Sequence, residues 1–291
     1  MLRIFHISRR KLKTLGLTIR RCKNWPIIVA TKLRLAPSPP TIKFRNGLQL
    51  QPMPPLKKTW GEVFEPAIAD IYHIGSSEPE LIIDVGANIG AFSCLAAYLH
   101  PHAVVHSFEP SDRHADLLRA NIRLNRLANV TVHQKPVTKD SRDVVFYTIG
   151  SGGSSGIFLT DHQTSAVKLS SVSLSQIAFA GHESVFVKLD CEGAEGEIIQ
   201  WLCENLHNLP SRIRLACEYH HWCPVPLEQS LASLRAHGFS ATVETPFDEC
   251  YILASFARQP NSEAGACGKP DAIMLSTLVP SPSLRIPSTD A

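Results

Sequence analysis

An α/β fold on a largely parallel, doubly wound sheet is predicted here by three observations. From about Glu78 the chain alternates apolar runs with helical patterns, the signature of βαβ units. The first run, LIIDVGANIGAF (Leu81 to Phe92), begins as a buried strand and ends as a helix, with Asp84, Gly86, Asn88 and Gly90 in the turn between. The next, AVVHSFEP, places Glu109 nineteen residues after Gly90 at the tip of the neighbouring strand. Doubly wound folds put an acid there to receive ribose hydroxyls.

Before that core lies a basic extension, residues 1–61, with 14 Lys and Arg and no Asp or Glu. The rest of the chain holds 15 basic and all 26 acidic side chains, a net charge of −11. FHISRRKLKTLGLTIRRCKNW spaces Leu12, Leu15 and Ile19 three and four apart among basic residues, as a basic amphipathic helix would. Three readings stay open: a solvated helix packed through its Leu and Ile, a contact with an anionic membrane surface, or a transit peptide or nucleic-acid arm. APSPP and QPMPPLKK then punctuate the chain around TIKFRNGLQL, a strand segment turning at Asn46-Gly47.

Within the domain, assigned to residues 62–257, strands are expected at 81–85, 103–108, 130–134, 185–190 and 212–217. A helical pattern follows each except the third. There the chain makes β-rich excursions, DVVFYTIG and AVKLSSVSL, around GSGGSSG. FSATVETPFDECYILASFA reads as two strands joined by a turn, and the Pro/Ser/Gly-rich residues 258–291 read as a disordered tail. A hydrophobic content of 44% supports an ample core, and no apolar run approaches the roughly 20 residues of a membrane span. Eight cysteines without a CxxC pair fit reduced thiols in a cytoplasmic protein.

The chemistry starts at the glycine turn. A strand feeding a helix through such a turn brings free helix N–H groups to the carboxyl edge of the sheet, and Gly86, Asn88 and Gly90 allow tight, left-handed backbone and close approach of a ligand. A purely structural turn gives the same pattern. Asp84 argues against a strongly anionic ligand and suits a cationic or hydroxyl-bearing one. A nicotinamide site wants G-x-G-x-x-G, and Gly86-Ala87-Asn88-Ile89-Gly90-Ala91 lacks its middle and last glycines. S-adenosylmethionine has no phosphates and carries an α-amino group, so the turn favours that methyl donor. Pro110 and Ser111 begin the next helix, with Ser111 in position to cap it.

LIIDVGANIGAFS, FEPSDRHADLLRANIRLN, NVTVH, GGSS and VFVKLDCEGAEGEII, in that order and spacing, resemble the FkbM-type methyltransferases. The likeness runs from about Asn24 to Phe256. It implies the class I, Rossmann-like methyltransferase fold, a seven-stranded sheet whose last strand is antiparallel, and S-adenosylmethionine as cofactor. After the third strand HQKPVTKD departs from the family's small residues beside an Asn or Asp, leaving Gln134 or the backbone near Lys135 for the adenine.

VFVKLDCEGAEGEIIQW carries Asp190 at the end of the central fourth strand, with Lys188 entering the same edge and Glu192 and Glu195 following. Helix capping explains one or two of these acids and explains the set less well. Methyl transfer is an in-line displacement, and a hydroxyl acceptor loses its proton as the bond forms. Asp190, Glu192 and, from ACEYHHW, Glu218 and His220 are the candidate bases, with Asp190 also a cofactor contact. Lys188 and Glu195 are candidate acceptor contacts, as are Ser154 and Ser155 of the Gly/Ser loop, which otherwise reads as a hairpin turn. His220-His221-x-Cys223 lacks a second ligand pair for zinc, and no metal is expected, although Glu192 and Glu218 would suit a hard cation. The expected activity is O-methylation of a small molecule, sugar or glycolipid, without nucleic acid and with a peripheral membrane contact through the N-terminus as the further expectation. A nicotinamide-dependent oxidoreductase, a cofactor-binding scaffold without turnover and a nucleic-acid methyltransferase are the alternatives.

Overall fold

In the computed structural model, which describes residues 9–148, 156–157, 165–246 and 249–258, two helices lead the chain, α1 (Arg9–Arg21) and α2 (Trp25–Lys32). A two-stranded hairpin follows, β1 (Ile42–Lys43) and β2 (Gln49–Leu50), turning at Asn46-Gly47 as expected. Short helical segments α3 (Leu56–Thr59) and α4 (Gly61–Val63) lead into a wide π-helical turn, Phe64–Ala69, closed by Asp70 in left-handed conformation.

Then the alternation begins: β3 (Leu81–Val85), α5 (Ala91–Leu99), β4 (Val104–Phe108), α6 (Asp112–Leu124) and β5 (Val130–His133). The excursion after β5 is a separate antiparallel hairpin, β6 (Asp143–Thr148) with β7 (Ser165–Ser170). The chain returns through β8 (Ser184–Leu189), α7 (Glu195–Glu204), β9 (Arg212–Glu218), α8 (Leu227–Ala236), β10 (Ser240–Glu244) and β11 (Tyr251–Ala257). The main sheet has the order β10-β11-β9-β8-β3-β4-β5. Only β11 runs against the others, and it slots between β9 and β10, so β10 forms the edge. The seven strands and the reversed last strand are those the resemblance implies.

Because side chains alternate along a strand, the sheet has two dry faces. Ile82, Phe186 and Ala216 point to one, shared with α5 and the N-terminal elements through Phe92, Phe64 and Ile28. Ile83, Val187 and Leu215 point to the other, under α7 and α8 through Ile198, Leu202 and Leu234. Residues before Gly61 thus belong to the core; Cys22, Ile42, Leu48 and Leu50 have no solvent exposure.

Two asparagines one turn apart, Asn121 on α6 and Asn125 at its C-terminal cap, hold β2 like a neighbouring strand. Asn121 accepts from the Gln51 N–H at 2.7 Å, and Asn125 accepts from the Gln49 N–H at 2.8 Å. Their amide groups donate back to the Gln51 and Gln49 carbonyls. Among the described residues no helix is long and apolar enough to cross a membrane.

Candidate functional site

The first strand of the series lies mid-sheet, with β4 and β5 on one side and β8 and β9 on the other, so the strand order reverses between the parallel neighbours β3 and β8 and opens a crevice at their carboxyl ends. That crevice is where doubly wound sheets bind ligands. The glycine turn opens it, with Gly86, Asn88 and Gly90 at φ of 77°, 50° and 83°. An added Cβ on Gly86 would stand 1.8 Å from the Asp190 carbonyl oxygen, and one on Gly90 would stand 2.3 Å from Leu118. Glycine is therefore demanded at both positions by packing against the end of β8 and against α6, besides any approach of ligand.

Glu109 ties this turn to the next helix. Its carboxylate accepts from the Asn88 N–H at 2.7 Å and from the Ser111 N–H at 2.9 Å. Ser111 occupies the cap position of α6, but its hydroxyl makes no capping bond. Burial pushes the Glu109 carboxyl up to about 7, against the pull of those two N–H groups.

Asp84 proves to lie beneath the crevice, without solvent exposure and off the cavity wall. The cation it meets is the chain's own: Lys188 Nζ is 3.1 Å away, and Ser93 donates its hydroxyl to the same carboxylate. Lys188 also donates to the Gly86 carbonyl at 2.7 Å and stands 3.5 Å from Asp190. Although burial opposes its charge, Asp84 and Asp190 hold its pKa above the ordinary lysine range.

Asp190, Glu192 and Glu218 come together on one wall, and Glu195 and His220 support it from behind. Glu195 is fully buried and accepts from the Cys191 and Gly193 N–H groups, bracing a turn in which Glu192 has φ of 60°. It also pairs with His220 Nδ1 at 2.9 Å. The opposite nitrogen, Nε2, faces Glu192 at 3.4 Å and Asp190 and Glu218 at 3.9 Å each. Burial disfavours the imidazolium, but Glu195, then Glu192 and Asp190, lift the His220 pKa to about 10. Asp190, Glu218 and His220 each bring one potential metal-ligand atom to within 4.8 Å of the others. With His220 cationic, the trio already contains its own counter-charge.

The cavity measures about 330 Å³. Gly86, Asn88, Glu109, Lys188, Asp190, Glu192 and Glu218 line it; Asp84, Gly90, Glu195 and His220 do not. Gln134 also stays off the wall, bonded to Arg119 and Asp112, while its neighbour Lys135 lines the cavity. Ser154 and Ser155 lie outside the described residues. The end of their loop does arrive: Ile157 lines the cavity, and Gly156 packs so closely on Glu192 that a Cβ would stand 2.7 Å from its carbonyl oxygen.

Sequence reasoning missed the wall contributed by the N-terminal side. Glu62, Glu65 and Tyr72 face the cavity from the segment before β3. Tyr72 places its hydroxyl 3.1 Å from Asp190 and 3.2 Å from Glu218, and Tyr251 donates to the same Glu218 oxygen at 3.0 Å. Burial and the charge of Asp190 push Glu218 up to about 8, and burial takes Glu62 and Glu65 to about 7. No motif marks these residues; the only signal was an apolar periodic stretch, WGEVFEPAIADIYHI, carrying acids in a region otherwise rich in basic residues.

Residues 84–240 match the Methyltransferase FkbM domain. The 31-O-demethyl-FK506 methyltransferase FkbM of Streptomyces tacrolimicus is 29% identical over 201 residues, covering 57% of this chain and 74% of that protein. Among solved structures, precorrin-6y C5,15-methyltransferase from Geobacter metallireducens superposes with a TM-score of 0.42 at 16% identity, covering 65% of this chain and 86% of that one. TYW2 of M. jannaschii in complex with AdoMet gives 0.42 at 14% identity, covering 75% and 86%.

Proposed function

The chain belongs to the FkbM methyltransferase family and is an S-adenosylmethionine-dependent methyltransferase, and from that premise we propose that it methylates a hydroxyl group on a small molecule, a sugar or a glycolipid. The observation that carries this reading is the Asp190–Glu218 pair on the cavity wall, bridged by the Tyr72 hydroxyl. The relative from Streptomyces is named for methylation at an oxygen, which agrees with it.

The cavity suits the cofactor chemically. Six carboxylates line it, Glu62, Glu65, Glu109, Asp190, Glu192 and Glu218, and of its two lysines Lys188 is bound to Asp84. Burial keeps part of this set protonated near neutrality. The negative charge that remains, with no cation-rich pocket for phosphate among the described residues, favours a nucleoside bearing sulfonium and ammonium charges over the phosphates of a dinucleotide. Glu109 would take the ribose hydroxyls, the Gly86–Asn88 turn would support the chain of the methionine, and Phe108, Pro110 and Val137 offer apolar surface to the adenine. When bound, S-adenosylmethionine supplies an electrophilic methyl group on sulfur.

What the protein adds is a place for the proton. Two carboxyls this close hold one proton between them near neutrality, because both cannot ionise cheaply in a buried site. With Glu218 at about 8, the pair can receive the acceptor's hydroxyl proton as oxygen takes the methyl group. His220 is already protonated through this range, so its part is to balance the charge of the wall. Tyr72 and Tyr251 hold the Glu218 carboxyl in place through their hydroxyls.

The test is transfer of an isotopically labelled methyl group to matched acceptors bearing a hydroxyl, an amine or a carboxylate at one position. Label in the hydroxyl compound upholds the proposal; label confined to the amine or the carboxylate sinks it.

A further inference from the structure

Helix α1 meets the protein with an unexpected face. Among its described residues Thr18 alone is fully covered, with Thr14, Leu17 and Ile19 half-covered, and the Thr14 and Thr18 hydroxyls bond the Arg10 and Thr14 carbonyls one turn back in the same helix. Leu17 alone of its leucines packs on the core. Leu12 and Leu15, one turn apart, remain 53% and 38% exposed, although the helix packs on the Phe64–Ala69 turn. Lys11, Lys13 and Arg20 flank that stripe, and Arg10 and Arg21 stand further round the helix, all of them exposed. Directly after α2, Leu33 and Leu35 are 63% and 78% exposed on either side of Arg34. The segment that carries all of this contains no acidic residue.

A helix packed merely as a strut would turn the Leu12–Leu15 side toward the protein. Here the apolar stripe is held outward and framed by cations, the arrangement an interfacial helix uses, with apolar side chains among acyl chains and Lys and Arg among headgroups. We propose that α1 is a docking surface for an anionic lipid bilayer, lying along the interface with Leu12 and Leu15 inserted. A polynucleotide would satisfy the cations and leave the leucines unexplained, so the lipid is the better match. The turn on which α1 packs carries Glu65 to the cavity wall, and Arg10 lies near enough to influence its charge. Docking therefore brings the cavity close to whatever that membrane presents; this last consequence rests on the methyltransferase reading, whereas docking does not.

The experiment is sedimentation of the full chain with vesicles of phosphatidylcholine alone or mixed with phosphatidylserine, beside a Leu12→Gln/Leu15→Gln double variant that keeps every charge. We expect the wild type to partition onto the mixed vesicles only, and the variant to bind them at least about tenfold more weakly. An unchanged S-adenosylmethionine titration certifies that the variant is folded, and loss of that titration in both proteins would indict the enzyme reading instead. No partition of wild type, or equal partition of the variant, overturns the proposal. Retention of both proteins by an RNA duplex in place of vesicles would assign the basic helix to nucleic acid.

Discussion

Lys188 Nζ stands 3.1 Å from the carboxylate of Asp84, and neither side chain reaches solvent. Because the ion pair also grips the Gly86 carbonyl and Asp190, it locks the strand ends that frame the cavity. Replacing Lys188 with Met strands a buried anion, at a cost of about 3–5 kcal/mol. Urea unfolding should show that loss, and Lys188→Met combined with Asp84→Asn should recover part of it. Equal stability of the single variant and the wild type would refute this role.

The proposed role of Asp190 and Glu218 in accepting the substrate proton predicts a pH dependence. Glu218, raised by burial and by Asp190 to about 8, releases its proton as pH climbs through that value, and the pair then accepts the substrate proton more readily. The methyl-transfer rate should rise through about pH 8 and lose that limb in Glu218→Gln. Tyr72→Phe, which removes the bridging hydroxyl, should lower kcat by about 10- to 100-fold and leave the Kd for S-adenosylmethionine nearly unchanged.

Two glycines should respond oppositely to alanine. At Gly86, with φ of 77° and a backbone oxygen 1.8 Å from the new carbon, Gly86→Ala should cost more than about 3 kcal/mol or prevent folding. At Gly16, within α1 and with nothing within 4 Å, Gly16→Ala should stabilise the helix by up to about 1 kcal/mol. Thermal melts of both variants check the contrast.

His220 predicts a stability window. Its folded pKa of about 10 lies above the ordinary 6.5, so its contribution is full below pH 6.5 and disappears as pH rises through about 10. His220→Gln should cost about 2–5 kcal/mol at neutral pH, chiefly by leaving Glu195 buried without its cation. The gap between variant and wild type should narrow steadily in melts taken from pH 7 to pH 10.

Strand positions were legible because the apolar runs of an internal parallel sheet are continuous and bounded by turns, as LIIDV and VFVKL are. The position of Glu109 was legible for a similar reason: its spacing from the glycine turn puts it at the tip of β4, where the structure has it on the cavity wall. Asp84 was misplaced because spacing cannot say which cation a carboxylate meets, and its partner lies 104 positions away in the chain. Tyr72, Glu62 and Glu65 were missed for the same cause, since the periodicity of their segment does not say that packing brings it to the cavity. The leucines of α1 read correctly as a stripe, but periodicity could not tell which side of it faced water.

The amide of Asn121 donates to the Gln51 carbonyl at 3.2 Å and also to the Ile89 carbonyl at 2.9 Å. One side chain thus serves as a latch between the N-terminal hairpin and the glycine turn at the cavity. Local fluctuations that lift β2 must relax the grip on Ile89, and ordering the glycine turn must equally hold β2 down. Hydrogen–deuterium exchange at the Gln49 and Gln51 amides would then report on events in the cavity, although neither residue touches it.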